Sequence, residues 1–275
     1  MRDQILARSF YIRTLRKAGR PRDHSLVGIS GLFVALLLFG MSPRAYAQRY
    51  STSELETLGG STSIGYAINA QGQVTGESVT ADGKVRAILF TPGRGVADLG
   101  TLGGGTSIGY AINAHGQVTG GSVTRDGAAH AFLYTPGTGM IDLGTLGGST
   151  STAYAINARG QVAGESATAN GVMHAFLYTP GTGMIDLGTL GGSTSTAYAI
   201  NARGEVTGES ITSNDKMHAF LFADGAMRDL NSVIDRAIAD RMTLITGRGV
   251  SDHGWILVNG VDSSSDETRS YLLRK

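Results

Sequence analysis

A nineteen-residue run, Asp142 to Gly160 (DLGTLGGSTSTAYAINARG), recurs unchanged from Asp186 to Gly204. A close variant spans Asp98 to Gly116 and a looser one Glu54 to Gly72, each displaced from the next by 44 residues. A fixed period of this length marks a chain of stacked supersecondary units, none of which can bury a core alone. That period constrains the fold more than any single motif does.

One unit, Asp142 to Ile185, resolves into four short strands joined by turn chemistry. Thr152-Ala153-Tyr154-Ala155-Ile156 reads as a strand, and Asn157-Ala158-Arg159-Gly160 as a type I turn closed by a glycine of positive φ. The same turn recurs at Asn69, Asn113 and Asn201. Gln161 to Ser166 forms the second strand. Asn170-Gly171 then marks a tight hairpin, as Asp82-Gly83 and Asp126-Gly127 do in other copies. His174 to Thr179 is the third strand, and its apolar residues on both faces suit a sheet packed between two others. After Pro180-Gly181-Thr182-Gly183, the fourth runs from Met184 to Leu190. Ser149-Thr150-Ser151-Thr152 reads as a polar loop crossing between units. Either that link or the one between the second and third strands could be the step between sheets.

Four antiparallel strands in about 40–50 residues make one blade of a β-propeller. A degenerate fifth copy has strands at Leu244 to Val250, Trp255 to Val258 and Ser270 to Leu273, with the turn kept as Ser251-Asp252-His253-Gly254. Tyr50 to Leu58 reads as an orphan fourth strand. The expected fold is all-β: a five-bladed propeller of four-stranded blades, closed by its N- and C-terminal strands in one sheet. An open β-solenoid is the alternative. The repeats fall at about 54–97, 98–141, 142–185 and 186–229, with the diverged last repeat at 230–275. Within that last repeat Val233, Ile234, Ala237, Ile238 and Met242 lie at near-helical spacing, and Asn231 or Ser232 could cap a short helix there.

Residues 1–47 read as a signal peptide. A basic start is followed by an apolar run from Leu26 to Met41 and a small-x-small exit at Ala45-Tyr46-Ala47. Export is expected, with a mature chain from Gln48 and no stable membrane span; an uncleaved anchor is the other possibility. Without that segment the net charge changes from +1 to −5, because eight of its residues are basic and two acidic. A mildly acidic chain with scattered arginines is a poor partner for nucleic acid, which needs clustered Lys and Arg. There is no cysteine, so neither disulfides nor thiolate metal sites can form.

The tripeptide His-Ala-Phe recurs at His130, His174 and His218. Together with Asp-Leu-Gly-Thr-Leu-Gly-Gly, Tyr-Ala-Ile-Asn and Gly-Gln-Val-x-Gly, it resembles the HAF repeat of bacterial extracellular repeat proteins. The resemblance covers nearly all of the chain after residue 47. It implies an exported protein of poorly defined role and brings no catalytic residues with it. The first repeat departs from the pattern, with Arg86-Ala87-Ile88 in place of His-Ala-Phe.

The candidates for chemistry are all repeated. The three histidines could meet as metal ligands only if they lined a common channel; strand pairing or hydrogen bonding is the simpler role. Glu77, Glu165 and Glu209 follow glycine in the second strand, where Gly121 stands in one copy. Paired carboxylates can run glycoside hydrolysis, but catalytic acids are differentiated and these are copies. Asp98, Asp142 and Asp186 suit bonds to turn backbone. No nucleophile elbow, P-loop or dinucleotide fingerprint is present. No cofactor or metal is expected.

The hydroxyl-rich segments, Ser61 and Thr62, Ser149, Thr150 and Ser151, and Ser193, Thr194 and Ser195, are the candidate binding residues for a protein or glycan. The expected function is that of a non-enzymatic binding scaffold. A polysaccharide hydrolase or lyase and a structural or adhesive surface protein are the alternatives.

Overall fold

The computed structural model describes residues 51–274. The segment read as a signal peptide lies outside them. So does Tyr50. Among the described residues no helix is long and apolar enough to cross a membrane.

Among the described residues five separate antiparallel sheets follow one another in sequence. The first comprises β1 (Gly59–Ile68), β2 (Val74–Thr80), β3 (Val85–Thr91) and β4 (Gly95–Asp98). The second holds β5 (Gly103–Ile112), β6 (Val118–Thr124), β7 (Ala129–Thr135) and β8 (Gly139–Asp142). The third holds β9 (Gly147–Ile156), β10 (Val162–Thr168), β11 (Met173–Thr179) and β12 (Gly183–Asp186). The fourth holds β13 (Gly191–Ile200), β14 (Val206–Thr212), β15 (Met217–Ala223) and β16 (Ala226–Asp229). The last has three strands, β17 (Met242–Val250), β18 (Ile256–Asp262) and β19 (Thr268–Leu273). Each sheet is a meander in sequence order, so the link from fourth strand to first is the step between sheets.

The blade-like unit is therefore present, but the expected closure is not. Four sheets have four strands and the fifth has three, and no sheet combines strands from both ends of the described chain. The segment expected to supply the closing strand commits its polar groups to the first sheet instead. Leu55 O accepts from Ser63 Oγ at 3.0 Å, and Leu58 bridges Thr80. A Cβ at Gly65 would lie 3.5 Å from Leu55 Cδ1, so this leucine lies against the face of β1. By sequence it aligns with Leu99, Leu143 and Leu187, the buried leucines of the links between sheets, but its bond to Ser63 falls one residue earlier than the Gly100–Ser107 and Gly144–Ser151 bonds of the later repeats. The β-solenoid alternative also fails. It would run successive repeats into shared sheets, whereas here strand pairing stays within each unit and every named pair is antiparallel.

Ser149 to Ser151 lie within strand β9 rather than a crossing loop, and the fourth strand ends at Asp186 rather than Leu190. The helical segment expected at 233–242 shrinks to a 3-10 turn, Leu230–Ser232, and one α-turn, α1 (Arg236–Ala239). Asp229 caps the first of these by accepting from the Asn231 amide.

The core lies between sheets rather than within them. Phe176 of β11 is fully buried against Ala131 and Leu133 of the second sheet and Leu143 of the link that follows it, together with Ala153 and Val162 of its own sheet. On the opposite face, Leu177 and Leu187 pack with Val206 and Phe220 of the fourth. Burying one such phenylalanine contributes about 1.5–3 kcal/mol. Polar ladders run through the same interfaces. The Asn157 amide donates to the carbonyl of Asn201, and equivalent bonds join Asn69 to Asn113, Asn113 to Asn157 and Asn201 to Ser251. The Oδ1 of each asparagine closes its own turn; that of Asn157 accepts from the Arg159 and Gln161 amides.

One glycine is required by proximity. A Cβ at Gly164 would sit 2.0 Å from the Thr152 carbonyl oxygen, because β9 and β10 approach at a bulge. Gly160 is required by backbone conformation, with φ of +74° at the end of the asparagine turn.

Candidate functional site

Two clefts of the same construction open between consecutive sheets. One of about 490 Å³, between the third and fourth, is lined by Thr168, Asn170, Val172, His174, Asp186 and Ser193. Its counterpart between the fourth and fifth, about 480 Å³, has Thr212, Asn214, Lys216, His218, Asp229 and Thr243 on its walls. In each, the histidine comes from the start of the third strand and the aspartate from the end of the fourth. His174 Nδ1 lies 2.8 Å from Asp186 Oδ2, and His218 Nδ1 lies 2.7 Å from Asp229 Oδ2. A carboxylate only accepts, so Nδ1 carries the proton and Nε2 is the ring nitrogen left for a ligand. The pair recurs in the second sheet as His130 and Asp142, at 2.8 Å. The first sheet substitutes Arg86 and Asp98, at 3.8 Å.

Asp142 and Asp186 each serve a second purpose. The Oδ1 of each also accepts the amide of Gly144 or Gly188, at 2.7 Å. This is the turn-bonding role expected from the sequence, combined with orientation of the histidine. The three histidines are not brought together. Among the described residues no group of three or more His, Asp or Glu is placed to hold a metal ion.

The hydroxyl-rich segments divide by burial. Ser151 and Ser195 are almost fully buried. Ser151 Oγ accepts the Ala131 amide of the preceding sheet at 2.8 Å and donates to Gly144 O at 2.6 Å. Ser195 does the same with Ala175 and Gly188. Their hydroxyls are occupied in holding sheets together. Thr150 and Thr194 are half-buried, and their carbonyls accept from Ser166 and Ser210. Ser149 and Ser193 are exposed, and Ser193 lines a cleft. Ser61 and Thr62 are exposed on the first sheet, with their hydroxyls 3.4 Å apart.

A second row is not legible as a site in the sequence, where Tyr154 is simply one residue of the first strand. In β9, Ala155 pairs with Ala163 and Ala153 with Gly164, leaving Tyr154 between them as the bulge residue. The same bulge holds Tyr66, Tyr110 and Tyr198, and in β17 it holds Arg248. The four rings form a ladder with centroids 5.8, 6.1 and 5.9 Å apart. The Arg248 guanidinium continues it, 4.6 Å from the Tyr198 centroid. Carboxylates tie the ladder across sheets. Glu165 accepts from Tyr154 Oη and from Thr196 Oγ1 of the next sheet, both at 2.8 Å. Glu209 links Tyr198 and Thr246 at 2.9 and 2.8 Å. Burial, then the hydrogen bond and charge of Glu209, push the Tyr198 hydroxyl up to about 12. Burial and Glu165 raise Tyr154 in the same sense. The available signal was Tyr at the 44-residue period with Arg248 in the aligned place, but the bulge that groups them is a property of strand pairing.

No family model matches this chain, and no curated protein does. Among solved structures, AofleA from Arthrobotrys oligospora is 11% identical, with a TM-score of 0.41, over 74% of this chain and 66% of that one. A gluconolactonase from Xanthomonas campestris is 12% identical, with a TM-score of 0.39, over 74% and 73%. A six-bladed β-propeller lectin from Aleuria aurantia is 13% identical, with a TM-score of 0.33, over 75% and 72%. This chain spans about two thirds of the length of AofleA. Likeness at this level assigns it neither a blade number nor an activity.

Proposed function

We propose that this protein is an exported, non-enzymatic scaffold of the HAF-repeat kind that binds a glycan at the bacterial cell periphery through its inter-sheet clefts. In this reading the sheets are consecutive blades of a propeller. The observation that carries it is the recurrence of one cleft at two successive interfaces, with the same His–Asp pair and the same hairpin wall. Clefts that share a His–Asp pair and recur along one scaffold suit a ligand that itself repeats, because linked weak contacts add as avidity. Hydroxyls, an imidazole nitrogen and carboxylate oxygens supply both donors and acceptors for sugar hydroxyls. Copying argues against catalysis, which differentiates its acid from its base.

A glycan array probed with the purified protein tests the reading. Binding to a defined oligosaccharide class is expected, with loss in a His174→Ala, His218→Ala double variant that remains folded. An array without signal, or turnover of a polysaccharide, would contradict it.

A further inference from the structure

The carboxylate bridge of the tyrosine ladder is missing at one step, and both of its partners remain. In the third and fourth sheets a glutamate pairs across the strands with a threonine, Glu165 with Thr152 and Glu209 with Thr196. Each glutamate then accepts from the tyrosine of its own sheet and the threonine of the next. In the second sheet the corresponding residue is Gly121, paired with Ile108. Tyr110 stands at the same bulge of that sheet, and Thr152 at the receiving position of the third. The space is open: a Cβ built on Gly121 meets a single atom within 4 Å, Thr152 Cγ2 at 3.9 Å. Gly121, Tyr110 and Thr152 are all half-buried, so solvent reaches the place.

The first sheet shows a different substitution at the same step. There Glu77 is retained, but the receiving residue in the second sheet is Ile108, which cannot donate. The Gly121 step is thus the one of the four that keeps both hydroxyls and lacks the acid.

We propose that the space beside Gly121 is a binding site for a ligand carboxylate, which replaces the repeat's own glutamate by accepting hydrogen bonds from Tyr110 Oη and Thr152 Oγ1. The ligand class is a carboxylic acid, either small and free or carried on a sugar as a uronate. Two of the four steps hold a carboxylate between this same pair of residue types, which is why an anion rather than a cation fits. Repulsion from neighbouring acids does not bar it, because Glu165 and Glu209 already occupy consecutive positions of the row. Charge-assisted bonds from two hydroxyls supply the recognition. The site is separate from the His–Asp clefts, so glycan binding there can fail without touching this inference.

The test is an NMR titration of the isotopically labelled protein with acetate and with D-glucuronate at constant ionic strength, with D-glucose as the neutral control. Saturable shifts of the Gly121 and Thr152 amides are expected with one or both acids and not with glucose. Preference for glucuronate identifies a sugar-borne acid and preference for acetate a free one. Gly121→Glu should abolish the response and raise Tm, since the protein then carries its own bridge. Thr152→Ile, which copies the first step, should weaken affinity about tenfold by removing one charge-assisted hydrogen bond. Absence of saturable shifts with both acids, or a response that survives Gly121→Glu, would overturn the proposal.

Discussion

The side-chain amide of Asn157 donates to the backbone carbonyl of Asn201, 44 residues on, at 2.9 Å. One side chain thereby closes its own turn and attaches its sheet to the next. Asn157 is 5% exposed and Asn201 3% exposed, so water cannot replace these bonds. Asn157→Ala should cost about 2–3 kcal/mol, the penalty of leaving buried backbone groups unpaired. Urea denaturation measures it, and a loss below about 0.5 kcal/mol would be that of an ordinary surface site.

The serines of one segment should separate by role. Ser151 bonds the preceding sheet through the Ala131 amide, whereas Ser149 is exposed. Ser151→Ala should destabilise by about 1–3 kcal/mol and Ser149→Ala by less than about 0.5 kcal/mol. Thermal melts of the two variants side by side check this, and equal shifts would mean that the inter-sheet bond contributes little.

Gly164→Ala should be far more damaging than its size suggests. The added methyl would meet the Thr152 carbonyl oxygen at 2.0 Å, and neither backbone can withdraw without opening the bulge that holds Tyr154. Overpacking of this kind costs about 1–3 kcal/mol or more. Loss of Tyr ladder signal in near-ultraviolet circular dichroism should accompany the drop in Tm.

Stability should fall on the alkaline side. The Tyr198 hydroxyl is raised from 10.0 to about 12 in the folded protein, chiefly by burial. A raised folded value means that the native state holds the proton more tightly than the unfolded chain. The contribution is therefore complete below pH 10 and is lost as pH rises towards 12. Tyr154 acts in the same direction. The urea midpoint should decline across this window, and the decline should be smaller in Tyr198→Phe. An unchanged slope in that variant would assign the alkaline loss to other groups.

The repeat period, the turns and the four-strand unit were legible because each rests on local chemistry: the Asn157 to Gly160 turn, the Asn170-Gly171 hairpin and the apolar third strand. The closure at 50–58 was not. That segment resembles a fourth strand by alignment, yet Leu55 bonds Ser63 and Leu58 bridges Thr80, contacts to the first sheet that strand propensity alone does not encode. The serines show the same limit. Ser149 and Ser151 look alike in the sequence, and regular alternation would put both on one face; they differ because the pairing of β9 with β10 is irregular between Gly147 and Ser151. The His–Asp pairs could have been found, since both residues recur at one period and lie on adjacent strands. The tyrosine row depends on an inserted bulge residue, and bulges leave no signature in composition.

The claim that recurring inter-sheet clefts are the ligand sites is tested most directly by counting bound ligand. Titration calorimetry with an oligosaccharide selected on the array should give more than one equivalent site per chain. Stoichiometry should fall by one in His174→Ala and by one in His218→Ala. A single site unaffected by either substitution would contradict the account.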